Sequence, residues 1–187
     1  SGFIFEKNLD VDPEFENMVA NLPNSTQAVW NFQQARRFTS FIRSGGVRLV
    51  AVSGSTSYDS AHQDDDVDFF CVTRKSEMWF FMVKTLLLAR INRLGHRDEP
   101  SVCLSCVMDD GRAIAEFNEA KDPLFARDAL TAKPLHGLEY FQRLLTRATW
   151  MKNFYPNLYL SKINSKRINS KNSDSGSSAI KRILNSY

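Results

Sequence analysis

Apolar residues recur at helical spacing from Ala28 to Ile42, and the chain then changes to a continuous apolar run from Val47 to Val52. The first pattern predicts an amphipathic helix, which Gly45-Gly46 ends, and the second predicts a short strand. Polar residues fill positions 56–65 and predict a loop with space for one helical turn. A second apolar run, 67–72, predicts the next strand.

The following segments repeat the order of helix and strand. Residues 77–94 are apolar on most faces of a helix, so we expect this helix to pack against the sheet. Residues 102–108 predict a third strand. Asp109-Asp110-Gly111 is typical of a hairpin turn, and residues 113–117 are therefore predicted as a fourth strand.

The last part of the chain predicts helices at 124–132 and 138–154, and beyond residue 160 Ser, Asn and Lys dominate the composition. The sequence therefore predicts an irregular N-terminal segment (1–24), one α/β domain (25–160) with a helical C-terminal portion, and a flexible basic tail (161–187).

The net charge of +3 is distributed unevenly. Residues 161–187 contain six basic residues against Asp174 alone, which is +5 and leaves −2 for residues 1–160. The body of the chain therefore lacks the basic character of a nucleic-acid binder. The tail has the charge to contact nucleic acid, but with its many Ser and Asn residues we favour a solubilising tail.

The composition also bears on the compartment. The N-terminus has no signal-peptide pattern, and the longest apolar run, Met78–Ile91, is too short and too charged to cross a bilayer. Three cysteines without a secretory signal fit a reducing environment. We therefore expect a cytoplasmic protein without a membrane partner.

Two carboxylates stand at the start of the second predicted strand, in the motif "DVDFF". Asp66 and Asp68 are two residues apart, so in a strand they point to the same face, and Val67 and Phe69 point to a core on the other face. Two carboxylates this close repel each other unless a cation lies between them. Because oxygen ligands favour Mg²⁺ or Mn²⁺, Asp66 and Asp68 are the candidate metal ligands.

Gly54-Ser55 comes directly after the first predicted strand. Glycine lets the backbone approach a ligand closely, and Ser supplies a hydroxyl, so this turn is a candidate phosphate site. An ordinary turn is the alternative for Gly54-Ser55, and a solvated acidic loop is the alternative for the two aspartates. Together the two motifs favour metal-assisted phosphoryl or nucleotidyl transfer.

"VSGS", a ten-residue spacer and "DVDFF" resemble the signature of the DNA polymerase beta-like nucleotidyltransferase superfamily. The strings "QQARR", "VRLVAVSGS", "DPLFARDALTAKPLHG" and "W…FYPN" resemble more closely its small stand-alone bacterial and archaeal domains, over about residues 26–157. The resemblance implies a mixed β-sheet flanked by helices. It also implies that Gly54 and Ser55 hold the phosphates of a nucleoside triphosphate, and that Asp66 and Asp68 are catalytic and bind two divalent metals.

The resemblance further implies transfer of a nucleoside monophosphate to a hydroxyl acceptor with release of pyrophosphate. Catalytic members of the superfamily usually carry a third carboxylate on a later strand, and the matching strand "VCLSCVM" has none, its polar residue being Ser105. Asp109, Asp110 and Glu116 lie nearby in sequence. A catalytically inactive module that binds nucleotide or a partner is therefore the alternative.

Other chemistry-bearing residues have simpler interpretations. Cys103 and Cys106 have the spacing of zinc ligands, but without a second pair we expect buried structural cysteines. Arg74-Lys75 suits either a triphosphate or a solvated strand end, and we leave both open. Trp79-Phe80-Phe81 is expected in the helix core rather than as a base-stacking platform. His62 is expected to be a solvated loop residue.

Overall fold

The computed structural model describes residues 25–43, 45–95, 99–119 and 121–164. The predicted N-terminal segment (1–24) and the tail from residue 165 onward lie outside them. The elements, in chain order, are α1 (Ser25–Ile42), β1 (Val47–Val52), α2 (Gly54–Ser57), β2 (Val67–Thr73), α3 (Met78–Gly95), β3 (Val102–Asp109), α4 (Asp110–Glu119), α5 (Pro123–Thr131), β4 (Lys133–His136), α6 (Leu138–Arg147), a 3₁₀ helix (Thr149–Asn153) and α7 (156–164).

The four strands form one mixed sheet in the order β3-β2-β1-β4. Strand β1 runs antiparallel to both β2 and β4, whereas β2 and β3 are parallel and are joined through α3. The expected α/β class with a mixed sheet flanked by helices is therefore confirmed.

Helices cover both faces of the sheet, which explains why β1 and β2 are apolar without alternation. Leu49 and Ala51 face a core that contains residues of α4, α5 and α6, whereas Val50 and Val52 face α1 and α3. The aromatic rings divide in the same way. Phe70 packs edge-on against Phe117 of α4, with centroids 6.3 Å apart.

The prediction of a strand at residues 113–117 is wrong, because this segment belongs to α4. Asp109 ends β3, and its Oδ1 accepts a hydrogen bond from the backbone N–H of Arg112 at 2.9 Å, as a helix cap does. Ala113 and Phe117, four residues apart, are both fully buried on one face of the helix. The Asp-Asp-Gly sequence therefore starts a helix here instead of turning a hairpin.

Three boundaries near the C-terminus also differ from the prediction. Strand β4 (Lys133–His136) was not predicted, and it contains Pro134, which an edge strand tolerates. The helix predicted at 138–154 ends at Arg147 and continues as the 3₁₀ helix. Helix α7 extends to residue 164, four residues into the predicted tail.

Helix α3 is buried on one side only. Phe81 and Thr85 are buried, but Trp79 and Phe80 are 71% and 69% exposed, so the expectation of a core position is wrong for these two aromatic residues. A sheet accepts a single stripe of a helix, whatever the composition of the other faces. None of the helices in the described part of the chain has the length and apolarity needed to cross a membrane.

Candidate functional site

The site forms at the strand ends where β1 ends and β2 begins. This row of strand ends is here called the near edge of the sheet, and the opposite row is called the far edge. Because the two strands are antiparallel, Val52 lies opposite Phe69, and the residues just beyond each strand end meet. The backbone N–H of Ser53 donates to the carbonyl oxygen of Asp68 at 2.9 Å. The bend at Gly54 and the Asp68 carboxylate are thereby brought to the same place.

Gly54 and Asp68 are in direct contact. Gly54 has a φ of +61°, a conformation that favours glycine, and a Cβ at this position would lie 2.1 Å from Oδ2 of Asp68. The Asp68 carboxylate therefore occupies the space that any other residue at position 54 would need. Glycine at position 54 therefore allows both the positive φ of the backbone turn and the close contact with the Asp68 carboxylate.

The loop after Gly54 is closed by its own hydrogen bonds. Ser57 Oγ donates to the Gly54 carbonyl at 2.8 Å, and the Ser60 backbone N–H donates to the Ser55 carbonyl at 3.0 Å. The backbone N–H of His62 and the hydroxyl of Ser55 both donate to Asp65, and together they lower the pKa of that carboxyl. The Ser55 hydroxyl, predicted to contact phosphate, is thus engaged with Asp65.

Asp68 lies in an unfavourable environment for a negative charge. Burial raises the pKa of its carboxyl, and the carboxylates of Asp66, Asp128 and Asp65 raise it further. Only the thiol of Cys103 opposes them, by donating a hydrogen bond to Asp68. Asp68 is half-buried among other acids, and this arrangement favours a proton or a cation.

Asp66 precedes β2 and is exposed, whereas Asp68 lies within the strand, and the charge of Asp66 raises the pKa of Asp68. Within the described ranges neither aspartate forms an ion pair with Lys, Arg or His. The cation that the pair requires is not supplied by a described side chain, so a metal fits the electrostatics of the site.

The donor set limits which metal fits. In the part of the chain described here, no group of three or more His, Cys, Asp and Glu side chains converges as a complete metal site. Mg²⁺ commonly takes one or two carboxylates together with substrate phosphates, and so does not require such a group. Asp66 and Asp68 fit a metal that binds together with a polyphosphate.

Cys103 is the residue that lies beside Asp68 on β3, since Asp68 and Cys103 are register partners. Cys103 is only half-buried, and its thiol donates to Asp68, so the expectation of an inert core cysteine is wrong for this residue. Ser105 lies within the register shift between Cys103 and Cys106, and its Oγ is 3.1 Å from that of Ser53. The zinc interpretation gains no support, because no third and fourth ligand join Cys103 and Cys106 among the described residues.

Strand direction removes several other candidates. Thr73 is the register partner of Asp109, and it lies five residues along β2 from Asp68, about 17 Å at 3.3 Å per residue. Asp109 and Asp110 are therefore at the opposite edge of the sheet and cannot supply the third carboxylate. The sequence Arg74-Lys75 follows Thr73 at that same far edge, so its triphosphate interpretation is excluded.

Two lysines that the sequence analysis missed lie at the near edge. Lys133 begins β4 opposite Val52, and its Nζ lies 2.7 Å from Oδ1 of Asp59. Lys162 donates to the Ala132 carbonyl at 2.7 Å, and burial, assisted by the charge of Lys133, lowers the pKa of Lys162. No sequence signal pointed to them, because "TAKPLHG" has neither the length nor the pattern of a strand.

Sequence reasoning also assigned no role to the acidic residue Asp128 of α5. Its Oδ1 accepts from the Tyr58 hydroxyl at 3.1 Å and from Nη2 of Arg127 at 3.0 Å. Its charge raises the pKa of Asp68, sixty positions earlier in the chain. Such a relation follows from tertiary packing and is not visible in local spacing.

Comparison with family models, with curated proteins and with solved structures found no match to this chain. The resemblance to nucleotidyltransferases therefore rests on the sequence motifs, and the case for a function rests on the geometry of the site.

The contact between Gly54 and Asp68 predicts a non-additive pair of substitutions. Gly54→Ala is expected to cost on the order of 3 kcal/mol, for the positive φ and the clash with the carboxylate, but only about 1–2 kcal/mol in an Asp68→Ala background. Urea unfolding of the four proteins measures this coupling. Gly45→Ala is the matched control, because Gly45 has a φ of +79° and nothing within 4 Å of its Cβ position. Additive costs at Gly54 would contradict the contact.

The raised pKa of Asp68 predicts a pH-dependent gain in stability for Asp68→Asn. The folded state holds the Asp68 proton more tightly than the unfolded state, so stability is lost as pH rises from the ordinary value of 3.8 through the raised pKa. Without divalent metal, we expect Asp68→Asn to be more stable than wild type at neutral pH, with the difference shrinking as pH falls through the raised pKa towards 3.8 and staying constant below it. Urea unfolding with a chelator at several pH values measures it. A difference independent of pH would contradict the raised pKa.

Proposed function

We propose that the protein is a metal-dependent nucleotidyltransferase, which transfers a nucleoside monophosphate from a nucleoside triphosphate to a hydroxyl acceptor. The observation that carries the proposal is the contact of Asp68 with the Gly54 bend, together with the lack of an ion-pair partner for Asp66 and Asp68 among the described side chains. This arrangement places a predicted metal ligand directly beside a predicted phosphate site. Fold alone would be weak support, because many activities share an α/β architecture.

Each motif has a role in the proposed reaction. Asp66 and Asp68 hold Mg²⁺ or Mn²⁺, and the backbone at Gly54 and Ser55 receives the phosphates. The acceptor oxygen bonds to the α-phosphorus, the bond from that phosphorus to the oxygen shared with the β-phosphate breaks, the hydroxyl proton passes to solvent water, and pyrophosphate leaves. A bound divalent ion would neutralise charge between carboxylates and phosphates.

The phosphates also need cationic side chains, and Lys133 is the best placed. It lies opposite Val52, two residues before Gly54, and its ammonium group is held by Asp59. Lys162 adds a second positive charge, and it lies close enough to Lys133 for the charge of Lys133 to lower the pKa of Lys162. We assign the outer phosphates of the triphosphate to this basic end of the site.

The proposal predicts pyrophosphate release from nucleoside triphosphates when Mg²⁺ or Mn²⁺ and a panel of hydroxyl acceptors are present. Asp68→Asn is expected to reduce the rate at least about 100-fold, because metal contacts contribute several kcal/mol to such reactions. Asp64→Asn, an exposed acid of the same loop, is the matched control and is expected to retain the activity. Binding is measured separately: Mn²⁺ with triphosphate is expected to raise the melting temperature of wild type more than that of Asp68→Asn. Equal rates or equal shifts in both proteins would contradict the proposal.

The second candidate is a module of the same fold that binds nucleotide without turnover. It is favoured by one observation, which is that the neighbour of Asp68 on β3 is a cysteine rather than a third carboxylate. The Cys103 thiol, whose pKa is raised mainly by burial and also by Asp68, is poorly suited to accept a proton from an acceptor hydroxyl. Metal and nucleotide binding without pyrophosphate release would support this candidate.

Cys103→Asp tests whether position 103 belongs to the metal site that both candidates share. The new carboxylate would lie beside Asp68, so in the absence of metal we expect lower stability at neutral pH through like-charge repulsion. With Mn²⁺ we expect a larger rise in melting temperature than in wild type, because a third acid is added to the donor set. Cys103→Asn is the size-matched control and should show neither effect. A metal response equal to that of wild type would place Cys103 outside the metal site.

A further inference from the structure

Helix α3 carries large apolar residues on two faces, and the described residues cover only one of these faces. The covered face follows the spacing 81, 85, 88 and 92, and it packs on the side of the sheet that also carries α1. The opposite face, here called the α3 outer face, consists of seven large apolar residues that are 51 to 75% exposed: Trp79, Phe80, Val83, Leu86, Leu87, Ile91 and Leu94.

The α3 outer face is larger than the apolar patches that monomers usually expose. Its residues extend over 16 positions, about 24 Å of helix at 1.5 Å per residue. With about 150–250 Å² for each fully exposed side chain of this size, the exposed fractions leave on the order of 700 Å² of apolar surface in water. The largest patch on an ordinary monomer is about 300–600 Å². A stable interface needs about 800 Å² from each partner, so this face together with a narrow rim is sufficient for one.

The shape and charges of the face suit a second copy of the same helix. Leu86 and Leu87 lie at its middle, with the aromatic residues Trp79 and Phe80 towards one end and Ile91 and Leu94 towards the other. A two-fold axis near Leu87 in an antiparallel pair would set the aromatic end of each helix against the aliphatic end of the other. Because the two ends of the face are complementary, the same face on two copies of the helix can pack together.

The charges favour the antiparallel pairing over the parallel one. Helix α3 contains no acidic residue, Arg90 lies within the outer face, and Glu77 precedes the first turn. A parallel pair would stack Arg90 on the same residue of the other copy. An antiparallel pair moves the two arginines apart, each towards the aromatic end of the other helix, where cation–π contacts are favourable.

We propose that the α3 outer face is the interface of a symmetric homodimer, in which two copies pack α3 against α3 in antiparallel orientation. The interface does not depend on the proposed activity. Asp68 shares its face of β2 with Phe70 and Val72, in the core formed with α4, α5 and α6, so α3 lies on the other side of the sheet. Dimerisation therefore leaves the Asp68 edge accessible.

Light scattering on the full 187-residue chain over a dilution series tests the proposal. We expect a mass twice the 21.4 kDa of one chain at high concentration. Leu87→Glu, which places a charge in the centre of the face, is expected to weaken the dimer at least about 30-fold, as loss of a central contact does. Leu124→Glu is the matched control, because Leu124 of α5 is 61% exposed on the other side of the sheet, and it should dimerise as wild type does.

A charge-swap experiment tests the two-fold arrangement itself. Leu87→Glu and Leu87→Lys are each expected to be monomeric, since the residue near the axis meets its own copy, whereas an equal mixture should form a heterodimer. Circular dichroism checks that both variants stay folded, as the 58% exposure of Leu87 predicts. A mixture that remains monomeric would overturn the antiparallel arrangement.

Two results would overturn the dimer altogether. One is a mass of 21.4 kDa at every concentration of the wild-type chain. The other is binding of a monomer to anionic lipid vesicles that Leu87→Glu abolishes, which would assign the face to a membrane surface instead.

Discussion

The structure depends on a steric and electrostatic constraint at one point, where the Asp68 carboxylate fills the space beside the α-carbon of Gly54. The antiparallel pairing of β1 and β2 fixes the two backbones, and the hydrogen bond from Ser53 to the Asp68 carbonyl holds the strand end in register. A carboxylate held in this way cannot move away from the neighbouring acids. Its negative charge is offset either by a proton or by a cation, and the raised pKa of Asp68 reflects the first of these.

The direction of the strands decides which other charges can take part. At the near edge, β3 and β4 both begin, so Cys103 and Lys133 join Asp68 and Gly54. Charged residues that follow the far end of β2 are close to Asp68 in sequence. They cannot belong to the site, because about 17 Å of strand separates them from Asp68. This end of the sheet is therefore acidic around Asp68, with the Lys133–Asp59 pair at the start of β4.

Most of the sheet and the two central motifs could be predicted from the sequence, because both depend on local rules. Continuous apolar runs identified β1, β2 and β3, and the two-residue spacing identified Asp66 and Asp68 as a pair. The failures share a physical cause. Asp-Asp-Gly suits a hairpin and a helix start equally, so only the burial of Phe117 decides for α4. Cys103 lies at the site because β2 and β3 pair with each other, and β4 forms because it pairs with β1. Both pairings join segments that are distant in sequence, so local patterns do not predict them.

Helix α3 shows the limit of hydrophobic patterning most clearly. Its sequence is apolar on nearly every face, which predicted burial, but a sheet covers only the stripe that contains Phe81 and Thr85. The pattern of hydrophobic residues predicts how much apolar surface a helix has, but it does not predict which element or molecule packs against that surface. Among the described residues the sheet covers one face of α3, and the α3 outer face remains exposed. The aromatic end and the aliphatic end of this surface are complementary under a two-fold axis, and that complementarity favours an antiparallel copy of the same helix.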